Sequence, residues 1–504
     1  MKRVFEDNFF DKRASTNYRV FRYLKALQDS GFTINRLAHE SKLSYSQTYN
    51  AFQDIMVALQ LMQHRAIADL NEADFRAVGG GVSVDTYRYH LLADTVAFRF
   101  FDQLFRSGGF DVHAFCQQEG ISLPTLRRKI APFKAYMAQC GVTMNAVTWA
   151  LEGSELRVRL LLLTFYQLAF RGVGWPFGTR RFQQAKADFA AITAADPTWF
   201  APGRATKLDL MVLAVQALRL DNGHALAPNK RWQGVVADAG MTLAPLIYTP
   251  SRFATLPQPI RAAERDFYYF CRVHFLSFDA AVSPVQDRIM TAFRAGDHAI
   301  GRFASGLLDA MIDASDPTTR EAAPSRHAVL SINLHRMALS CYVADGAFAK
   351  RLDFLRRPEQ DADNGRLPQL IRRYFNGLTP GDPASVFHQY YPCLHRDLYS
   401  VIAPEFPVLN ADHMLNIAVF VDSGTFVNRD LMQFLNGLDF VRLLVPDPKH
   451  RPDLIITALS DTGILRAYYG EAALAHIQLV QWATDADDND FFHLMTVLQH
   501  ARRT

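Results

Sequence analysis

Two stretches near the N-terminus superimpose without a gap. They are Phe32-Thr33-Ile34-Asn35-Arg36-Leu37-Ala38-His39-Glu40-Ser41-Lys42-Leu43-Ser44 and Phe110-Asp111-Val112-His113-Ala114-Phe115-Cys116-Gln117-Gln118-Glu119-Gly120-Ile121-Ser122. Thr33 and Asp111 are residue types whose side-chain oxygens cap a helix start. Ile34 with Leu37, and Val112 with Phe115, repeat apolar side chains on the inner face of the short helix that follows. Ala38 and Cys116 are small, as a second helix crossing closely requires. Leu43 and Ile121 are apolar at the turn, and Ser44 and Ser122 are placed to cap the next helix. Gly120 falls where such a turn needs a positive φ. A small residue, a glycine four later and an apolar residue ten later (Cys116, Gly120, Leu126) is the spacing of a helix-turn-helix.

The helix after each turn is then the recognition helix. In the second copy it opens Pro124-Thr125-Leu126-Arg127-Arg128-Lys129, with Lys134 further on and no acidic residue among them. Arg takes guanine bidentately in the major groove, and Lys and Thr hold phosphates or base edges, so Thr125, Arg127, Arg128, Lys129 and Lys134 are the candidate DNA contacts. The first copy offers Tyr45, Ser46, Gln47, Thr48 and Asn50, neutral side chains able to hydrogen-bond. Pro132 is expected to end or kink the second recognition helix soon after Ile130. Behind it, Val142-Thr143-Met144 and Val147-Thr148-Trp149-Ala150-Leu151 can pair across Asn145 as the hairpin of a wing. A basic helix alone also fits a solvated surface, but two tandem copies sharing cap and small-residue pattern favour DNA.

Outward from this pair, the chain of 504 residues is too long for a single core. The formal net charge of +4 is unevenly spread: residues 1–180 carry 22 Lys and Arg against 16 Asp and Glu. A basic N-terminal third suits a polyanion-binding segment. The N-terminus lacks the apolar run of a secretory signal, and the most apolar stretch, Leu160 to Phe170, is far short of the roughly 20 residues of a membrane span. The expectation is a cytoplasmic protein with no membrane partner. Five scattered cysteines without a CxxC pair argue against a metal site or a disulfide framework, and no cofactor is called for.

Helical periodicity, as in Leu208 to Leu218, dominates to about residue 400, broken at Gly172–Gly178 and Ala403–Pro407. Then come three short β-branched runs, Ile417–Val421, Phe440–Val445 and Leu454–Ile456, which predict a small parallel α/β unit, and a closing helix from Phe491 to Ala501. His395-Arg396-Asp397-Leu398 and Ala403-Pro404-Glu405 mimic kinase motifs. Ile402 replaces the metal-binding Asn, however, and no activation loop fits between the two. No HExxH or GxSxG occurs either, so an enzyme is not expected.

The segment Leu151-Glu152-Gly153-Ser154-Glu155-Leu156-Arg157-Val158-Arg159-Leu160, followed by Phe165-Tyr166 and Gly174-Trp175-Pro176-Phe177, resembles the DNA-binding domain of the Mga and AtxA family of global regulators from Gram-positive bacteria. The resemblance is specific over about residues 85–178. It implies a mainly α protein with tandem winged helix-turn-helix domains, two helical phosphotransferase-system regulation domains (PRD-like) and a small α/β domain resembling the phosphotransferase IIB component. The implied boundaries are 1–84, 85–178, 179–285, 286–408 and 409–504. It further implies a transcription regulator that binds double-stranded DNA as a homodimer and is phosphorylated on histidine by the phosphocarrier protein of the phosphotransferase system. Candidates are His224 and His274 in the first regulation domain, and His327, His335, His388 and His395 in the second; His224, His274, His335 and His388 are preferred. IIB enzymes carry a cysteine nucleophile after their first strand. Here that place reads Val421-Asp422-Ser423-Gly424, leaving the last domain a structural or dimerising role. Two other readings stay open: a phosphotransfer component, against which the missing cysteine counts, and an RNA-binding antiterminator, whose RNA module is a β domain whereas this N-terminus reads as helical.

Overall fold

The computed structural model describes residues 4–27, 32–63, 81–195, 206–238, 256–273, 291–293, 298–315, 327–355, 365–406, 409, 414–420, 429–438, 440–448, 450–458, 463–483 and 486–501. They form two compact units, one from Lys2–Ile300 with Arg336–Arg356, the other from Gly301–His335 with Arg357–Thr504.

The first unit opens with a 3-10 turn (Phe5–Asn8) and three helices, α1 (Lys12–Leu27), α2 (Ile34–Ser41) and α3 (Tyr45–Gln63). Their apolar faces meet in a small core of Val20, Phe21, Leu24, Phe32, Leu37, Phe52, Ile55, Met56 and Leu59, closed by Val82 and Tyr87 from the following segment. Next come α4 (Val84–Asp94), α5 (Val96–Arg106), α6 (Val112–Gln118) and α7 (Leu123–Gln139), a two-stranded hairpin of β1 (Thr143–Met144) and β2 (Leu151–Glu152), and α8 (Glu155–Phe170). The core here is aromatic. Phe133 of α7 lies within 5.1 Å of Phe9, 4.8 Å of Phe101 and 5.5 Å of Phe165, ring centre to ring centre.

Helix α8 is buried on nearly every side, which explains why its sequence shows no amphipathic stripe. It packs against α4 and against α10 (Lys207–Asp221), itself almost wholly buried. α9 (Gly178–Ala195), α11 (Lys230–Asp238) and α12 (Gln258–Val273) complete the helices around it. Within this dry packing Arg159 is fully buried and donates to both carboxylate oxygens of Glu264 on α12, at 2.6 and 2.8 Å. Glu264 also accepts from Gln216 and from the Leu226 amide, so each buried lone pair has a donor.

Helices α13 (Ala299–Ala314) and α14 (Ala328–Ala344) follow, then α15 (Arg366–Asn376), a 3-10 segment (Pro383–Tyr390) and α16 (Tyr391–Ile402). Phe303, Phe375 and Phe387 form a ring cluster in the second unit. The α/β part is a four-stranded, all-parallel sheet in the order β4 (Val441–Leu444), β3 (Leu415–Phe420), β5 (Leu454–Thr457), β6 (Gln478–Gln481). Alternate strand residues feed opposite faces. Ile417, Leu454 and Ile456 join α17 (Arg429–Asn436) and α19 (Asp488–Ala501), while Ala418 and Ile455 join α18 (Gly463–Tyr469). The three expected strands are present. β6, an edge strand whose apolar residues stand between glutamines, was not read from sequence.

Candidate nucleic-acid interface

The two turns have the same construction. Thr33 accepts a hydrogen bond from the Arg36 amide, and Asp111 accepts from the His113 and Ala114 amides, so each opening helix is capped as expected. The Leu43 amide donates to Ala38 and the Ile121 amide to Cys116, both at 3.0 Å. The residue before each donor is left-handed: Gly120 at φ +63°, and Lys42 at φ +51° in the corresponding place. Ser44 and Gln47 cap α3 reciprocally, and Ser122 caps α7 through the Thr125 amide.

Arg127, Arg128, Lys129 and Lys134 all point to solvent. Arg127 and Lys134 are seven residues apart and so nearly eclipsed on α7, with Arg128 beside them. Lys129 lies on the other flank. With Arg128 and Pro132 it lines a groove toward α1 and α3 that also contains Asp7, Asp11, Asp54 and Asp94. Thr125 is half-buried and committed to the Ser122 cap, which donates to its hydroxyl at 3.0 Å.

Two expectations about these helices are corrected. α7 does not end at Pro132 but continues to Gln139. Pro132 is on the solvent face, so the Arg128 carbonyl that loses its partner is open to water, while Phe133, Tyr136 and Met137 hold the next turn in the core. Thr48 is fully buried and its hydroxyl donates to the Ser44 carbonyl, so it cannot reach a ligand outside. Its counterpart in the second copy is Leu126, also fully buried. The first recognition helix instead exposes Tyr45, Ser46, Gln47 and Asn50, and it adds Tyr49, whose ring stacks on Tyr45 at 6.3 Å.

The hairpin behind α7 pairs Thr143 with Glu152 and Met144 with Leu151. The second strand is shorter than expected. Asn145 folds the intervening loop by accepting from the Val147 and Thr148 amides, which leaves Val147 exposed at the tip. Trp149 returns to the core against Phe100, and the Arg127 guanidinium sits 5.9 Å from its ring, tying the wing to the recognition helix.

A helix held across its predecessor by a left-handed turn, cationic outside and followed by a hairpin, is a winged helix-turn-helix. Residues 81–166 match the family model of the Mga helix-turn-helix domain, and this part of the chain is a domain of that kind. The matched family is one of DNA-binding regulators rather than enzymes. No curated protein matches the chain. The kinase-like His395–Leu398 lies inside α16 with Asp397 buried, the wrong setting for a catalytic loop. Among the described residues no helix is long and apolar enough to cross a membrane, and no cluster of metal-binding side chains occurs.

The histidines fall into different environments. His335 is buried, with Nδ1 at 2.8 Å from the Ser331 carbonyl, and His327 is buried against Phe406, so a carrier protein cannot reach either ring in this state. His388 is exposed. Its Nδ1 lies 3.1 Å from the Phe375 carbonyl, which selects the tautomer that leaves Nε2 with its lone pair. His395 places Nδ1 2.8 Å from the Tyr391 carbonyl. His224 is exposed, and partial desolvation together with nearby Arg219 lowers its pKa and favours the neutral ring. His274 and the loop at 421–424 lie outside the described residues.

Proposed function

We propose that this chain regulates transcription by binding duplex DNA, with α7 in the major groove, the β1–β2 wing alongside, and α3 as a second recognition helix. The observation that carries this reading is the solvent-facing set Arg127, Arg128 and Lys134 on the second helix of a Mga-type helix-turn-helix. Phosphate contacts would supply most of the affinity, and Arg127 and Arg128 the base discrimination. The test is a gel-shift titration of the full chain on genomic duplex fragments. Arg127→Ala with Arg128→Ala is expected to weaken binding to a selected fragment by tenfold or more, corresponding to about 1–3 kcal/mol per lost base contact. Unchanged affinity in a folded variant removes this helix from the interface.

Finer parts of the same reading concern regulation. We infer homodimeric binding to paired sites, helical regulation domains over 179–285 and 286–408, and a IIB-like domain over 409–504 that serves contact rather than chemistry. For phosphotransfer the geometry favours His388 and His224 over His335. Labelling by phosphoenolpyruvate and purified phosphotransferase carriers, with mapping of the acid-labile site, tests it. Label on neither exposed ring excludes these two histidines.

A further inference from the structure

A second site lies away from the recognition helices. A cavity of about 870 Å³ opens among the 3-10 turn, α1, the starts of α4 and α10, the end of α8 and the segment around Arg351. That volume is within the usual range of small-molecule sites. Arg19, Arg22, Arg171, Lys207 and Arg351 reach its walls, against three carboxylates. The carboxylates are already engaged: Glu6 is shared by Arg88 and Arg171, Asp85 meets Arg171 at 3.2 Å, and Asp7 accepts from the Val4 amide.

Two wall residues have their polar ends shielded from water without a hydrogen-bond partner among the described residues. They are Gln167, at both its side-chain oxygen and nitrogen, and Arg351, at Nε. Lys207 is half-buried and, among the described residues, donates only to the Arg171 carbonyl, at 3.0 Å. Burial and the neighbouring Arg171 lower the Arg351 pKa, and burial lowers that of Lys207. Two under-compensated cations beside one space are costly unless an anion fills it. Arg171 closes α8 at φ +34°, a conformation rare outside glycine, and Glu6 and Asp85 hold its guanidinium in the wall. Phe10, Tyr18, Met211 and Phe354 supply apolar cover on the remaining sides.

We propose that this cavity is an effector site for a small phosphate monoester, its phosphate held by Arg351, Lys207 and Arg171. The Arg fork and the Lys ammonium together suit a phosphate dianion. Such a ligand would join α1, which carries the first helix-turn-helix, to α8 and α10, and so bias the spacing of the two recognition helices.

The experiment is isothermal titration and thermal melting of the full chain at fixed ionic strength with inorganic phosphate, glucose 6-phosphate, 5′-AMP and glucose. The wild type and Arg351→Gln with Lys207→Gln are compared; Arg351→Gln alone serves if the double variant does not fold. Binding of inorganic phosphate and of at least one ester at one site per chain is expected, with no binding of glucose and a tenfold or greater loss in the variant. Equal phosphate-induced melting shifts in wild type and variant would overturn the proposal. This arm is independent of DNA. Without ligand the variant should bind DNA as the wild type does. A loss as large as that caused by Arg127→Ala with Arg128→Ala would assign these cations to the DNA backbone instead and overturn the effector site.

Discussion

The two helix-turn-helix copies share a turn and differ in what they present and in how they are held. The first presents a neutral, aromatic face of Tyr45, Tyr49, Gln47 and Asn50, and sits on a compact core of its own. The second presents arginine and lysine, has a wing, and shares its aromatic core with α5, α8 and the N-terminal turn through Phe133. One backbone motif thus presents two different surface chemistries. Cations take hold of phosphate wherever they meet it, whereas hydroxyls, amides and rings depend on the geometry of the groove.

The largest expected effect breaks the comparison at the core. Phe133→Ala should cost about 3–5 kcal/mol and loosen residues 96–170 together, because one ring serves several helices. Ile55→Ala should cost about 2–5 kcal/mol but raise hydrogen exchange over 12–63 and the start of α4, leaving 96–170 protected. Exchange spreading equally from both sites would mean that the cores are not separate. Next come the readers. Tyr45→Ala with Tyr49→Ala should lower affinity less than Arg127→Ala with Arg128→Ala, by under about tenfold, or 1.4 kcal/mol. A larger loss would make the first copy the principal reader.

The shared turn provides the third test. Gly120→Ala places a side chain on a left-handed residue and should cost about 1 kcal/mol, whereas Lys42→Gly should stabilise by up to about 1 kcal/mol. Opposite signs in chemical denaturation would show that the two turns are held alike, and equal signs that they are not. The smallest effect is on salt dependence. Lys134→Ala should make the slope of log affinity against log salt shallower by about 1, and the tyrosine pair should leave it unchanged.

The local parts of this site were legible in the sequence because caps and turns are set by residues three to six apart. Thr33, Asp111, Ser122 and Gly120 each act within their own turn. Thr48 was misread because a hydroxyl looks polar in isolation. Its alignment with Leu126 already marked a core position, and the structure satisfies the hydroxyl one helical turn back at Ser44. Pro132 was overweighted because its cost depends on whether the orphaned carbonyl meets water, which burial decides and sequence does not show. Strand β6 escaped because an edge strand needs only one inward residue, here Val480. Glu6 with Arg88 and Arg159 with Glu264 join residues 82 and 105 positions apart, and no periodicity reports such pairs.

The Arg159–Glu264 contact also limits how portable the DNA-binding part is. The matched segment ends inside α8, yet the buried carboxylate that accepts two hydrogen bonds from its Arg159 belongs to α12, about a hundred residues later. A fragment cut near residue 178 would expose the apolar flank of α8 and take Glu264 from Arg159, leaving the guanidinium only Glu155 one turn back on its own helix. Transplanting this reader onto another regulator would therefore require bringing α10 and α12 with it. The matched domain and the helices behind it thus form one folding unit.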